Sequence, residues 1–240
     1  MTQPPAPLIP WTPALRPVEQ PDSSQVLIHF CDRGWPLGRG VPDEILRMSP
    51  TERLTSILWD GHLRAFVTDS GGDPAVCFTE STWRGLDFVM RERPHQPWGL
   101  MFDRQSVYDA GGGPIWHARP EEHQALSDLS PRLRARVVRL DPGSDRLHER
   151  EWRIPRAPCE PSTTVALSEL QLVGLLVGDP RWAGVRWEHC VSATTGVRQW
   201  GHFFPPLSSG LPRFWWDPSS ARLRRLPPLF GRGLEYRAGA

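Results

Sequence analysis

The sequence predicts an α+β domain of many short strands with helices set between them. Three observations predict it. Apolar runs such as Val26-Leu27-Ile28-His29-Phe30, Ala75-Val76-Cys77-Phe78-Thr79 and Trp98-Gly99-Leu100-Met101-Phe102 have strand length and are bounded by Gly, Pro, Asp and Ser. Segments with helical spacing and clear start signals fall between them. The 240 residues include 27 prolines, which favours short elements and ordered loops within one large domain.

The elements follow in order. Residues 1–24 hold seven prolines and read as an extended arm. A strand is expected from Gln25 to Phe30, then a Gly-rich loop from Arg33 to Gly40. Ser49-Pro50-Thr51-Glu52 combines a capping box with Pro at the first helical position. Leu54, Ile57 and Leu58 give that helix one apolar face, and Gly61 closes it. Ala75–Thr79 is a strand, with Thr79 or Ser81 capping a helix that turns Leu86, Val89 and Met90 inward. Trp98–Phe102 is a strand and Gln105–Asp109 a short helix ending at Gly111-Gly112-Gly113. A short strand, Pro114–His117, precedes a helix from Pro120 and a further helical piece from Pro131 to Arg136. Val137–Leu140 and Glu149–Ile154 read as strands joined through the Asp141-Pro142-Gly143 turn. Strands are also expected at Thr164–Ala166, Leu175–Val177, Val185–Val191, Gln199–Phe203 and Phe214–Asp217, the last pairing with Arg222–Leu226.

Composition narrows the chemistry. All 28 basic residues are arginine, so a lysine Schiff base or a P-loop lysine is excluded. The net charge of +1 gives no strong overall pull toward nucleic acid or membrane, though it leaves room for a local basic patch. Cys31, Cys77, Cys159 and Cys190 form no CxxC pair and have no zinc-site spacing; His117 and His123 lack a third ligand, so no metal is expected. The N-terminus lacks a basic region followed by an apolar core, and no apolar run is long enough to span a membrane; a cytoplasmic protein is expected.

Several residues have a chemical reading beside a structural one. His29 ends an apolar strand; it is either a core histidine bonded to backbone or a ligand for ribose hydroxyls, since neutral imidazole has one donor and one acceptor. In the strand Glu149-Arg150-Glu151-Trp152-Arg153-Ile154, the two glutamates share one side and Arg150 and Trp152 the other. Glu151 is either part of an exposed, salt-bridged strand face or a carboxylate that stabilises an oxocarbenium ion beside it. Thr79 lies where a helix N-terminus follows a strand, an arrangement that caps the helix or receives a phosphate. Tyr108 either packs under the triple-glycine turn or stacks on a nicotinamide ring.

Taken in order, His29-Phe30, Leu54 with Ile57-Leu58 and Gly61-His62-Leu63-Arg64, Cys77-Phe78-Thr79-Glu80, Trp98-Gly99-Leu100-Met101-Phe102, Pro114-Ile115-Trp116 and Glu149-Arg150-Glu151-Trp152-Arg153 resemble the bacterial AbiGi abortive-infection family. They also resemble a related uncharacterised family with a similar Glu-x-Glu-Trp-Arg strand. More distantly, the chain is similar to DarT-like ADP-ribosyltransferases. The resemblance spans residues 25–180 and implies an ADP-ribosyltransferase-like core there, with residues 181–240 as a β-rich extension packed on it. It implies NAD as co-substrate and a role in phage defence or a toxin–antitoxin system. His29-Phe30 would match the NAD-gripping His-Phe pair and Glu151 the catalytic glutamate, with Arg33 the nearest match to the family's arginine. Cys31 stands where that family has Thr.

Two expectations follow. One is an NAD-dependent ADP-ribosyltransferase acting on a protein or nucleic-acid target, with Glu151 catalytic and His29, Phe30, Arg33, Thr79 and Tyr108 on the nucleotide. The other is a non-catalytic antitoxin or interaction module on the same fold, meeting a partner protein through the C-terminal aromatics Phe203-Phe204, Phe214-Trp215-Trp216 and Leu229-Phe230.

Overall fold

Strand β1 (Val26–Phe30) alternates its side chains across a sheet that is covered on both faces: Leu27 enters one apolar cluster and Ile28 another. This computed structural model describes residues 24–32, 41–67, 73–80, 82–92, 96–140, 147, 150–156, 163–184, 186–191, 198–203, 210–220 and 222–227. Arg33, nearly all of the Pro-rich arm, the Asp141-Pro142-Gly143 turn, Phe204 and Leu229-Phe230 lie outside the described residues.

After β1 come α1 (Asp43–Arg47), α2 (Pro50–Asp60), β2 (His62–Arg64), β3 (Phe66–Val67), β4 (Pro74–Thr79), α3 (Trp83–Glu92), β5 (Gly99–Asp103) and α4 (Arg104–Asp109). The middle of the chain supplies β6 (Gly113–Pro114), β7 (Trp116–Ala118), α5 (Pro120–Ala125), α6 (Pro131–Arg134), β8 (Val137–Arg139) and β9 (Glu151–Pro155). The remainder is β10 (Thr164–Ala166), β11 (Leu172–Val177), β12 (Arg186–Val191), β13 (Arg198–Phe203), β14 (Arg213–Asp217) and β15 (Arg222–Leu226). This is an α+β chain, and no described helix is long and apolar enough to cross a membrane.

The main sheet has nine strands in the order β15-β14-β11-β5-β1-β4-β9-β6, with β3 added against β4. Its pairs are antiparallel except β11 with β14. The parallel pair needs a long connection, and the β12–β13 hairpin lies within it in sequence. The C-terminal extension expected to pack on the core instead supplies two strands of the sheet itself. Phe214 and Trp215 are half-buried against the two clusters, and Trp216 is buried.

Local signals decided several elements. Ser49 and Glu52 form the reciprocal capping box that opens α2, and Gly61 ends it at φ 72°, where a side chain is disfavoured. At α3, Thr82 Oγ1 rather than Thr79 accepts the Gly85 N–H at 3.2 Å, while Ser81, the other expected cap, lies outside the described residues. Thr79 is instead the last residue of β4, opposite Ile28 on one side and Glu151 on the other. The two strands on either side of the Asp141-Pro142-Gly143 segment are not paired with each other. Strand β8 pairs in parallel with β7, while β9 lies between β4 and β6.

Candidate functional site

Strand register settles which side chains share a face. Ile28 opposes Thr79 across β1–β4, and Thr79 opposes Glu151 across β4–β9, so these three point the same way. Phe78 opposes Trp152 on the other face. His29 joins that second set: its ring meets Phe78 edge-on at 5.9 Å between centroids. His29 and Glu151 therefore lie on opposite faces of the sheet. The single cleft that the transferase reading asks of this pair is not formed.

Each of the two is engaged by the fold. A carbonyl only accepts, so His29 Nδ1 carries the proton that it donates to Cys77 O at 2.8 Å. Glu151 accepts from Arg153 Nε at 2.7 Å and Nη2 at 3.2 Å, a two-point ion pair with both side chains at least nine-tenths buried. Arg153 Nη1 donates to Ala135 O at 2.8 Å, tying α6 to the sheet. Burial pulls the Arg153 guanidinium down, but the Glu151 charge, then Cys77, outweigh it and hold its proton above the usual arginine value. The expected exposed strand face is thus a salt-bridged but buried one, because β9 is covered on both sides.

A second buried carboxylate lies on the other side of the strand junction. Glu80 accepts from Arg104 Nη1 at 3.2 Å and from the Trp152 indole at 2.9 Å. Its own N–H donates to Arg150 O at 3.2 Å. Arg150 sits at φ 45°, unusual for a residue with a side chain, directly before Glu151. Sequence reasoning missed Glu80, Arg104 and Arg153 as a group. Arg153 was detectable, since residues two apart on a strand share a face. Arg104 was not, because only the sheet brings it to Glu80.

The other expected site residues are dispersed. Phe30 is half-buried against the cluster of Ile28, Leu86, Met101 and Leu176, opposite His29. Thr79 is half-buried beside Glu151. Tyr108 packs against the larger core, and its carbonyl accepts the Gly111 N–H at 2.9 Å under the triple-glycine turn. Among the described residues, no three of His, Cys, Asp and Glu gather at metal-ligating distance.

A concavity of about 430 Å³ is lined by Thr51, Trp98, Asp179, Arg181 and Trp182, none of them an expected site residue. Trp98 and Trp182 meet edge-on at 5.7 Å. No protein-family model, no curated protein and no solved structure matches the chain.

Proposed function

We propose that the chain is a non-catalytic module that acts by holding a macromolecular partner, in the manner of an antitoxin or another interaction protein. One observation carries the non-catalytic half of this reading, and the partner-holding half comes from the sequence. The Glu151 carboxylate is closed on Arg153 at 2.7 Å, on the sheet face opposite His29. A carboxylate that stabilises a sugar cation must face the sugar. A carboxylate held by a buried guanidinium on the sheet face opposite His29 does not meet that requirement. The setting in phage defence or a toxin–antitoxin pair comes from the sequence resemblance.

Nicotinamide release from NAD, followed by chromatography in the presence of bacterial extract as acceptor, tests the reading. The wild type and Glu151→Gln are expected to release nicotinamide at the rate of the protein-free control. Release that the wild type supports and Glu151→Gln loses would overturn it.

A further inference from the structure

Two arginines lie against the triple-glycine turn, and no described carboxylate is paired with either. Arg136 Nη2 donates to Gly111 O, and its guanidinium lies against Gly113, where a Cβ would come within 3.2 Å of Nη1. Arg132 lies against Gly111, where a Cβ would come within 3.3 Å of Nη2. Gly111 has φ 86°, so glycine suits both the backbone and the close approach. Among the described residues neither arginine is ion-paired with a carboxylate, whereas Arg134 between them is taken by Asp73 at 3.0 Å.

The sequence sharpens the imbalance. From Leu129 to Leu140 the chain has four arginines and no acid. Burial, and then the Arg132 charge, hold Arg136 below the usual arginine value, while Tyr108 acts the other way. Two like charges on one turn repel, and an anion between them relieves that repulsion. Guanidinium is also the group best matched in shape to a tetrahedral oxyanion, which it meets with paired N–H donors. The first two N–H groups of the turn are engaged within the fold. Gly111 N–H goes to Tyr108 O at 2.9 Å and Gly112 N–H to Val107 O at 2.8 Å, so recognition rests on the two side chains.

We infer that Arg132 and Arg136, seated on Gly111-Gly112-Gly113, form a binding site for a dianionic phosphate, either inorganic phosphate or the terminal phosphate monoester of a nucleotide. Two cations match one dianion. An internal phosphodiester, with a single charge on each phosphorus, matches them poorly, so the site does not depend on NAD. It goes beyond the interaction role above and involves neither His29 nor Glu151.

Calorimetric titration of the full chain at low salt tests the inference, with inorganic phosphate as the first probe and AMP, adenosine and NAD as further arms. Inorganic phosphate is expected to bind with one-to-one stoichiometry. Arg132→Ala, at an exposed residue whose side chain makes no hydrogen bond to the described residues, is expected to weaken it roughly tenfold or more, since one charge-assisted contact is lost. Arg136→Lys keeps the charge, loses the fork, and is expected to fall between wild type and Arg132→Ala. AMP competing with phosphate while adenosine and NAD do not identifies a nucleotide's terminal phosphate as the ligand; phosphate binding without AMP competition identifies the free ion. No phosphate binding by the wild type, or binding that a folded Arg132→Ala variant leaves unchanged, overturns the site.

Discussion

His29 and Glu151 stand on neighbouring rungs of one sheet but face opposite sides of it. The register Ile28–Thr79–Glu151 fixes one face, and the contact of His29 with Phe78 fixes the other. A strand's side-chain period is two residues, so only a register slip of an odd number would bring them together. Both faces are packed, and such a slip would carry Leu27, Phe78 and Ile154 out of the core. The separation is thus held by the same burial that holds the sheet.

The Glu151–Arg153 pair is expected to act on stability. Glu151→Gln removes the charge that faces the buried Arg153 guanidinium at 2.7 Å, and breaking a buried pair in this way typically costs about 3–5 kcal/mol. Arg153→Met breaks the same pair from the other side. The double replacement Glu151→Gln with Arg153→Met is expected to recover much of the loss, because the buried ion pair is removed as a unit. Urea denaturation of the four proteins checks this; losses that simply add would contradict the pairing.

Glu80 is expected to behave similarly with a different readout. It joins Arg104 and the Trp152 indole, which comes from the distant strand β9. Glu80→Ala removes the carboxylate that accepts from both the buried Arg104 guanidinium and the Trp152 indole, so a loss of about 2 kcal/mol or more is expected. The Trp152 indole resonance should shift in the same variant. An unchanged indole environment would remove Glu80 from that contact.

Asp217 gives a pH prediction. Hydrogen bonds from the Ser219 and Ser220 hydroxyls, with smaller help from the Ser219 N–H and Arg224, push its carboxyl down to about 2 from an ordinary 3.8. A depressed carboxyl stabilises the fold fully above its unfolded value and loses that contribution as pH falls through its folded value. The thermal midpoint should therefore drop between about pH 4 and pH 2. Asp217→Asn should show a shallower drop over that window, and an identical slope would contradict the assignment.

Cys31 is expected to resist alkylation in the native protein. It is buried, and that burial pushes its thiol well up, opposed by Arg53 and reinforced by Asp32. Iodoacetamide labelling with peptide mapping should modify Cys31 only after denaturation. Labelling at native rates comparable to an exposed thiol would contradict the burial.

Much of the fold was legible in the sequence because its signals are local. The capping box at Ser49, the stop at Gly61, the inward face of Leu86 and Val89, and the strand pairing Arg222–Leu226 with the segment before it all depend on residues close in the chain. Strand order was not legible. Nothing in Val137–Arg139 says that it pairs with Trp116–Ala118 in parallel. The candidate site fared less well for the same reason. The alternation in β9 correctly separates Glu151 from Trp152, but the face of β1 that matches each of them is decided by pairing through β4. Motif order places His29 and Glu151 on strands; it does not place them on a common face.

NAD binding tests the central claim most directly. Calorimetric titration of NAD into the wild type, His29→Ala and Glu151→Ala is expected to show no binding at millimolar NAD in any of the three, since His29 and Glu151 share no cleft. Saturable binding by the wild type that both substitutions abolish would contradict the separation of the two residues and restore the transferase.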